Sequence, residues 1–367
     1  MTQKNHLVSV IVPIYNMEAY LDQALSSLEE QSFPNLEILC INDGSTDGSL
    51  AIMQAHAARD ARIRIIDKEN QGYGASCNLG IDEATGDYLA ILEPDDWIER
   101  GMFADLLELI DSLATPVDVA KSAYWRIFER AGETIKVPCA YKQRVKPDTQ
   151  PFSVASQPEL LLHHPSIWSA IYRLEWLREK SIRFKEIPGA GWVDNPFLVE
   201  TLCQTDAIAY LDHAYYCYRE DTAEKALAFA SRNPLLPLER WCDMVEVLKR
   251  LGVQDESIWR AQNLRGITYS CTAIEANGLD YPGLRDKIVE VFSAMDPALV
   301  MDDAHIKPSE KRLFATMLGL PEPQISDIGY LPELAKQAFY RFRTTGMRFT
   351  WLSIVDYLKR KRARVGS

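Results

Sequence analysis

The chain has 367 residues, of which 47% are apolar and 25% charged, and its formal net charge at pH 7 is −12. This composition is typical of folded globular proteins and excludes a largely disordered chain. The acidic balance argues against nucleic acid as the main partner, because binding to a phosphate backbone requires a dense basic surface. At roughly 100 to 200 residues per domain, the length predicts two domains, or one large domain with an appendage.

The cysteines and the N-terminal segment predict an intracellular protein. The seven cysteines include no CxxC pair, so the reduced thiols of a cytoplasm fit better than disulfides or a zinc site. The first six residues are polar and lead into an apolar run, unlike a signal or transit peptide. No stretch approaches the roughly 20 apolar residues that span a bilayer. We expect a cytoplasmic protein, with the inner face of the cytoplasmic membrane as a second possible location.

Strand and helix patterns alternate through the first hundred residues. Residues 7–12 form a continuous apolar run, which is typical of a strand buried on both faces. An apolar stripe with helical spacing follows at 21–28. This alternation predicts an α/β fold in which helices cover a mainly parallel sheet. The further strands are expected at 37–41, 63–66 and 88–92, and the further helices at 49–58 and 75–84.

The alternation weakens after residue 113. Short β-rich pieces follow at 117–128 and 134–141, and from about residue 221 the patterns favour helices, for example at 238–251. We therefore expect a Rossmann-like catalytic domain over residues 1–220. A mostly helical C-terminal domain is expected over residues 221–367.

Polar and acidic residues follow each of the first four predicted strands. In open α/β sheets, ligands bind beyond the carboxyl ends of the strands. These segments are therefore expected to meet at one edge of the sheet and to form a binding site there. They are Pro13–Asn16, Asn42–Asp47, Asn70–Gly74 and Glu93–Trp97.

The fourth segment carries Glu93, Asp95 and Asp96. Carboxylates this close repel one another, and a hard divalent cation such as Mn²⁺ or Mg²⁺ relieves the repulsion. Because such ions complete their shell with substrate phosphates, the pattern indicates a metal-bound diphosphate, whose charge the cation neutralises as it departs. A solvated turn that opens the next helix explains these residues equally well.

Asp43 and Tyr15 indicate a nucleotide. The Asp43 carboxylate could accept the N–H of a pyrimidine base and the Tyr15 ring could stack on it, although the turn-forming residues after Asp43 also suit a helix cap. Gly72 and Gly74 allow a close approach of the backbone to a ligand. No GxGxxG sequence opens the first helix, which argues against a nicotinamide dehydrogenase.

Five motifs stand in a fixed order: Val8–Asn16, Ile41–Asp47, Asn70–Gly72 with Asn78–Gly80, Gly86–Tyr88, and Glu93–Trp97. In this order and spacing they resemble the motifs of the inverting family 2 glycosyltransferases of the GT-A fold. The match is dense over about residues 6–100 and thins out toward residue 220. It implies a nucleotide-sugar donor, with UDP as the expected nucleotide. It also implies a saccharide or lipid-linked acceptor in cell-surface polysaccharide biosynthesis.

The resemblance also implies roles for individual residues. Pro13, Tyr15 and Asp43 are expected around the base, and Asp95 and Asp96 at the ribose, the diphosphate and the metal. The expected cofactor is Mn²⁺ or Mg²⁺. The full expected donor set is Pro13, Tyr15, Asn16, Asp43, Asn70, Gly72, Asn78 and Asp95, and the expected metal ligands are Glu93, Asp95 and Asp96.

The family draws a general base from a later loop that opens a helix, and the sequence around Asp194 resembles that loop. Pro196 suits a first helical turn, which makes Asn195 the expected cap and leaves Asp194 just ahead of it. An ionised Asp194 would take the proton from an acceptor hydroxyl as that oxygen attacks the anomeric carbon. Without the resemblance, a carboxylate stabilised by the helix dipole is the preferred interpretation of Asp194.

Residues 340–367 carry a net charge of +7, whereas the rest of the chain carries −19. An apolar stripe from Trp351 to Leu358 precedes the basic run 359–364. Two interpretations remain open: a final helix that docks on its own domain, and a basic amphipathic helix that lies on an anionic membrane and meets lipid-linked acceptors. The sequence gives no prediction of the oligomeric state.

Two other functions remain open. A nucleotidyltransferase shares a nucleotide-binding α/β sheet, but it usually has a Gly-rich basic phosphate loop after the first strand, which residues 17–23 lack. A non-catalytic transferase-like binding module would keep the fold without turnover. The acids at positions 43, 95, 96 and 194 argue against this second alternative.

Overall fold

A computed structural model of the chain describes residues 5–130, 133–220, 233–340 and 342–344. Within these residues a single mixed sheet is packed against helices, which confirms the predicted α/β fold. The strands are β1 (Val8–Ile14), β2 (Leu36–Asp43), β3 (Ile63–Lys68), β4 (Tyr88–Ile91), β5 (Trp97–Ile98), β6 (Val119–Arg130), β7 (Glu133–Pro138), β8 (Ala170–Arg173) and β9 (Ile208–Arg219).

The helices comprise a first group between the strands and a second group after β9. The first group is α1 (Leu21–Glu29), α2 (Ser49–Ala57), α3 (Tyr73–Glu83), α4 (Met102–Ser112), α5 (Glu159–Leu162), α6 (Leu174–Glu179) and α7 (Asp194–Leu202). The second group is α8 (Leu236–Arg250), α9 (Glu256–Asn277), α10 (Leu284–Ser293), α11 (Pro297–Asp302), α12 (Pro308–Leu318) and α13 (331–340). The predicted helical character of the C-terminal region is therefore confirmed for its described part.

The strand order is β3-β2-β1-β4-β8-β6-β9-β5, with β7 paired to β6. The first four strands are all parallel, as predicted, and β1 lies between β2 and β4. The antiparallel pairs are β4–β8, β6–β8, β5–β9 and β6–β7. A short connection such as the one between β6 and β7 permits only antiparallel pairing, since a parallel pair requires a crossover of a dozen or more residues.

The continuous apolar pattern of β1 reflects its central place in the sheet. All seven of its residues are buried, and Val8 is paired with Leu36 on one side and Tyr88 on the other. Because both neighbours run parallel to β1, the carboxyl ends of β1, β2 and β4 lie at the same edge. This edge carries the polar segments that the sequence analysis singled out.

The helices after β9 pack against the part of the chain that carries the sheet. Helix α8 packs against α7, and α9 packs against α5. Lys185 forms an ion pair with Asp243 of α8 (2.7 Å), and Arg250 forms another with Glu200 of α7.

The predicted boundary at residue 220 stays a prediction. The predicted stripe from Trp351 to Leu358 lies outside the described residues, and within the described ones no helix combines the length and apolarity that crossing a membrane requires.

Lys121 is a buried cationic group in β6, and it should make stability depend on pH. Its ammonium donates a hydrogen bond to the Ser166 carbonyl (2.8 Å), and burial lowers its pKa from 10.5 to about 7. Between pH 7 and 9 Lys121 therefore binds more protons in the unfolded state than in the folded state, and it contributes a rise with pH in the free energy of unfolding of at most about 1.4 kcal/mol per pH unit. From pH 7 to pH 9 the free energy of unfolding, measured with urea, should change more positively in the wild type than in Lys121→Met. Lys249→Met, at an exposed position of α8, is the control, and equal slopes in all three proteins would contradict the prediction.

Candidate active site

The segments after β1 and β2 are joined by hydrogen bonds through Asn16. Its side-chain oxygen accepts from the backbone N–H of Thr46 (2.8 Å), and its own N–H donates to Ser45 Oγ (3.1 Å). Asn16 adopts a positive φ of 54°, a conformation that asparagine tolerates better than most residues. The structure thus brings these two segments together as predicted, and it assigns the Asn16 side chain a role in joining them. Its contact with a donor stays a prediction.

Asp43 organises the segment after β3. Its buried carboxylate accepts hydrogen bonds from the backbone N–H groups of Gln71 and Gly72, both at 2.9 Å, and pairs with Lys68. These bonds fix the Asn70–Gly72 turn against the end of β2. Recognition of a base by Asp43 stays a prediction. The structure adds that three partners, Gln71, Gly72 and Lys68, hold the carboxylate in place.

Three of the expected donor residues, Tyr15, Asn16 and Asn70, are exposed, whereas Pro13 is buried. The Tyr15 side chain is 47% exposed at the end of β1, and Asn70 is exposed after β3. Pro13 is buried within β1, opposite Ile41. An accessible ring at Tyr15 is what stacking on a base requires, whereas Pro13 would act by fixing the backbone that presents it.

Gly72 and Asn78 hold the segment that leads toward Asp194. Gly72 has a φ of 95°, and a Cβ placed on it would lie 2.4 Å from the Ile187 carbonyl oxygen. The buried Asn78 side chain donates to the Phe184 carbonyl (3.0 Å) and accepts from the Phe184 N–H (2.8 Å). Both residues therefore position the loop before α7, and their direct contact with a donor stays a prediction.

Gly72→Ala should destabilise the protein more than Gly189→Ala. Both glycines have a positive φ, but a Cβ on Gly189 would have no atom within 4 Å, whereas one on Gly72 would clash with backbone. Left-handed backbone costs about 1–2 kcal/mol for a residue with a Cβ, and overpacking adds about 1–3 kcal/mol. Urea unfolding should therefore give a larger loss for Gly72→Ala, with Gly189→Ala as the control for backbone strain alone. Equal losses would show that the loop moves away without penalty.

Glu93 is held by two tyrosines. Tyr73 Oη donates to Glu93 Oε1 (2.5 Å), and the Glu93 N–H donates to the Tyr216 hydroxyl (3.0 Å). Burial raises the pKa of Glu93 to about 8, and the neighbouring carboxylates of Asp95 and Asp194 raise it as well, against the Tyr73 hydrogen bond, which lowers it. Asp194 thus lies near enough to Glu93 for its charge to affect the Glu93 pKa.

Asp96 and Asp95 are fixed by Arg219. The Arg219 N–H donates to Asp96 Oδ1 (2.7 Å), and its guanidinium donates to the Asp95 carbonyl (2.9 Å). The same guanidinium lies 4.9 Å from the ring centroids of Tyr20 and Trp97. Burial, followed by the charge of Asp95, raises the pKa of Asp96 well above its ordinary value. Arg219 was not among the predicted site residues, and its place at the end of β9 is what brings it to this loop.

The carboxylates of this loop suit a hard divalent cation. Among the described residues, no three His, Cys, Asp or Glu side chains form a ready-made metal cluster. The Asp96 carboxyl is buried, however, and burial together with the Asp95 charge raises its pKa well above its ordinary value, so a bound cation would stabilise its ionised form. Magnesium-type sites take one or two carboxylates from the protein and phosphate oxygens from the substrate. Asp95 and Asp96 fit that donor set, and the predicted ligand role of Glu93 remains untested.

Asp194 is the first residue of α7, which corrects one expectation. Val193, not Asn195, is the N-cap residue, and no side chain caps this helix. The Asn195 amide instead donates to Asp194 Oδ1 (3.1 Å). Burial raises the pKa of Asp194 above its ordinary value, although the Arg265 charge and the Asn195 hydrogen bond oppose the rise. A carboxylate placed only to stabilise a helix N-terminus would have a lowered pKa, so this environment favours a proton acceptor.

Asp194 lines a cleft of about 460 Å³ between the catalytic part and the C-terminal helices. Tyr218 from β9 and Trp192 and Tyr269 supply aromatic surface, and the Trp192 and Tyr269 rings meet edge to face at 5.5 Å. The cleft has an apolar and aromatic lining with a few polar groups, as ligand pockets usually do. Its lining consists of Leu162, His163, His164, Pro165, Trp192, Asp194, Asn195, Tyr218, Arg265, Thr268 and Tyr269.

Helix α9 reaches Asp194 through a chain of hydrogen bonds. Arg265 Nη2 and Tyr269 Oη both donate to Asn195 Oδ1, at 2.5 and 2.8 Å. Arg265 Nη1 donates to the Leu161 carbonyl (2.9 Å), which fixes the guanidinium. Since Asn195 binds Asp194 with its amide nitrogen, Arg265 and Asn195 form a relay to the predicted base. Arg265 and Tyr269 were not predicted from the sequence, because nothing in the α9 sequence shows which helix it packs against.

Known proteins are similar to this chain in sequence and in fold. The chain is 30% identical over 225 residues to the uncharacterised glycosyltransferase EpsJ of Bacillus subtilis, a match that covers 59% of this chain and 61% of EpsJ. It is 33% identical over 132 residues to the minor teichoic acid biosynthesis protein GgaB of B. subtilis, covering 35% of this chain and 15% of GgaB. The chain thus spans less than two thirds of either relative.

Among solved structures, TarS 1–349 of S. aureus in complex with UDP-GlcNAc superposes with a TM-score of 0.67. The match covers 92% of this chain and 91% of TarS 1–349, at 20% sequence identity. The fold is accordingly that of the GT-A glycosyltransferases, as the motifs implied. Residues 9–177 match the family described as glycosyl transferase family 2. That stretch is just under half of the chain, and the chain is similar to that family over it.

Proposed function

We propose that the protein is an inverting glycosyltransferase that transfers a sugar from a nucleoside diphosphate sugar to a saccharide or lipid-linked saccharide. The observation that carries the proposal is that Asp194 lines the 460 Å³ cleft and lies near enough to Glu93 for its charge to raise the Glu93 pKa. A proton acceptor thus stands between a loop suited to a diphosphate and a cavity suited to an acceptor. The match of residues 9–177 to glycosyl transferase family 2 supports the reaction class.

The donor is proposed to be a UDP-sugar bound at the carboxyl edge of β1, β2 and β4. Tyr15 offers an accessible ring for the base, and Asp43 holds the adjoining turn. The bound UDP-GlcNAc named for TarS supports this nucleotide. A bound Mn²⁺ or Mg²⁺, held by Asp95 and Asp96, would supply charge neutralisation for the departing diphosphate. Arg219 keeps both aspartates in place by its bonds to the loop.

The acceptor is proposed to enter the cleft beside Asp194. Sugar rings pack their C–H faces on aromatic side chains, and Trp192, Tyr218 and Tyr269 line the cleft. Asp194 would take the proton of the acceptor hydroxyl. The oxygen of that hydroxyl would attack the anomeric carbon from the face opposite the diphosphate and displace the diphosphate. The name of GgaB, a teichoic acid biosynthesis protein, supports an acceptor in cell-surface polysaccharide assembly.

A panel of nucleotide sugars tests the proposal. Purified protein with Mn²⁺ should be thermally stabilised by UDP-sugars and should slowly hydrolyse one of them, and EDTA should abolish both effects. Retention of both effects in EDTA would contradict the metal requirement. Release of pyrophosphate from a sugar 1-phosphate and UTP would instead indicate a nucleotidyltransferase. Donor binding without hydrolysis or transfer, across acceptors isolated from cell envelopes, would indicate a binding module.

A further inference from the structure

Helix α13 presents its apolar side to solvent. Residues 331–340 are helical, as are 342–344, and apolar residues recur with the i, i+3, i+4, i+7, i+8, i+11 spacing of one helix face. Every one of them is exposed. We call this set the outward stripe, and its members are Leu331, Leu334, Ala335, Ala338, Phe339 and Phe342.

The polar side of α13 docks on the protein. The Tyr340 hydroxyl donates to the carbonyls of Ala140 (2.8 Å) and Lys142 (2.6 Å), and the Arg144 guanidinium lies 3.6 Å from the centre of the Tyr340 ring. Glu333, one turn of helix before Gln337, is half-buried on this same side. Because these contacts fix the rotation of the helix, the outward stripe cannot turn inward while they persist. A surface helix normally buries the apolar face instead.

This exposure is concentrated in one place. Of the nine large apolar side chains that are exposed in the described residues, five lie between 328 and 342. Four of them belong to the outward stripe: Leu331 (55% exposed), Leu334 (44%), Phe339 (67%) and Phe342 (48%). Ile328, at 75%, lies just before it. Contiguous apolar surface of this kind marks a contact with another surface.

The charge of the chain indicates which kind of surface the outward stripe contacts. The outward stripe runs directly into residues 340–367, which carry +7, whereas the rest of the chain carries −19. An anionic bilayer attracts the basic segment within a screening length of about 8–10 Å, and its interface accepts apolar side chains. We propose that the outward stripe docks on an anionic membrane surface, with the positive charge of the sequence after it favouring an anionic surface over an uncharged one.

Vesicle flotation of the full-length protein tests this proposal, and it needs no donor or acceptor, so its outcome is separate from that of the glycosyltransferase assays. The protein should float with vesicles of phosphatidylcholine and phosphatidylglycerol at least tenfold more than with phosphatidylcholine alone. The double variant Phe339→Ser/Phe342→Ser should lose at least tenfold of this binding. The matched control is Tyr281→Ser/Leu320→Ser, which removes two exposed apolar side chains outside the outward stripe and should bind as the wild type does.

Three results would overturn the proposal. The first is equal flotation of the double variant and the wild type, with matching thermal unfolding curves. The second is equal flotation with charged and uncharged vesicles, which would remove the role of the basic segment. The third is a dimer in light scattering that the double variant dissociates, without vesicle binding by either protein, which would assign the outward stripe to a second copy of the chain.

Discussion

Asp194→Asn is expected to abolish sugar transfer while raising the stability of the protein at pH 7. General base catalysis contributes about 10²- to 10⁴-fold, so kcat should fall by that factor, with the donor Kd unchanged because Asp194 lines the acceptor cleft. The folded-state pKa of Asp194 is raised by burial. The folded state therefore binds more protons than the unfolded state above the ordinary carboxyl pKa, so ionisation lowers stability as pH rises. An amide of the same shape removes that penalty and retains an oxygen for the Asn195 hydrogen bond.

The measurements are transfer rate, donor affinity by calorimetry, and the thermal midpoint at pH 5 and pH 7. The gain in midpoint should be larger at pH 7, where the wild-type carboxyl is more fully ionised. Asp286→Asn is the matched control, because Asp286 lies exposed in the first turn of α10, away from the cleft. Wild-type turnover in Asp194→Asn would refute the base assignment, and a lower midpoint would show that the charge stabilises the helix start.

The N-terminal half of the sheet could be predicted from sequence because its signals are local. Six of the seven residues of β1 are apolar, because both of its neighbours are strands and both faces are covered. Helix α1 begins where its apolar stripe begins, at Leu21. The arrangement beyond β4 depends on which distant strands pair. The β6–β9 ladder joins residues about ninety positions apart, around Val119 and Ile208, and no periodicity encodes that pairing.

The candidate site divides in the same way. The carboxylates of the Glu93–Asp96 loop and of Asp194 could be predicted from the sequence, because acidic residues there follow a predicted strand or open a predicted helix. The residues that bind these carboxylates could not be predicted. Tyr73 and Tyr216, for example, bind Glu93 from two different elements. Arg265 reaches Asn195 across seventy residues of sequence. Such partners are chosen by packing, so their identity follows from the folded arrangement and leaves no trace in residue spacing.

Arg265→Met is expected to lower kcat by about 100-fold with little change in donor affinity. Arg265 touches neither the Glu93–Asp96 loop nor the donor segments in its described hydrogen bonds, but it holds Asn195, which holds Asp194. A misplacement of about 1 Å at a catalytic group can cost 100-fold in rate. The Arg265 charge also lowers the pKa of Asp194, so its removal should shift the acidic limb of the kcat/KM profile to higher pH.

Two further variants separate positioning from folding. Arg265→Lys keeps the charge but not the planar fork, so the acidic limb should stay near its wild-type position while kcat falls. Arg260→Met, on the same helix and paired with Asp302 (3.0 Å) outside the cleft, should leave both kcat and the pH profile unchanged. Arg265→Met could instead lower kcat and the thermal midpoint without shifting the acidic limb. That result would show that Arg265 only stabilises the packing of α9. A shifted limb at a wild-type midpoint is the result that identifies it as the residue that positions Asp194.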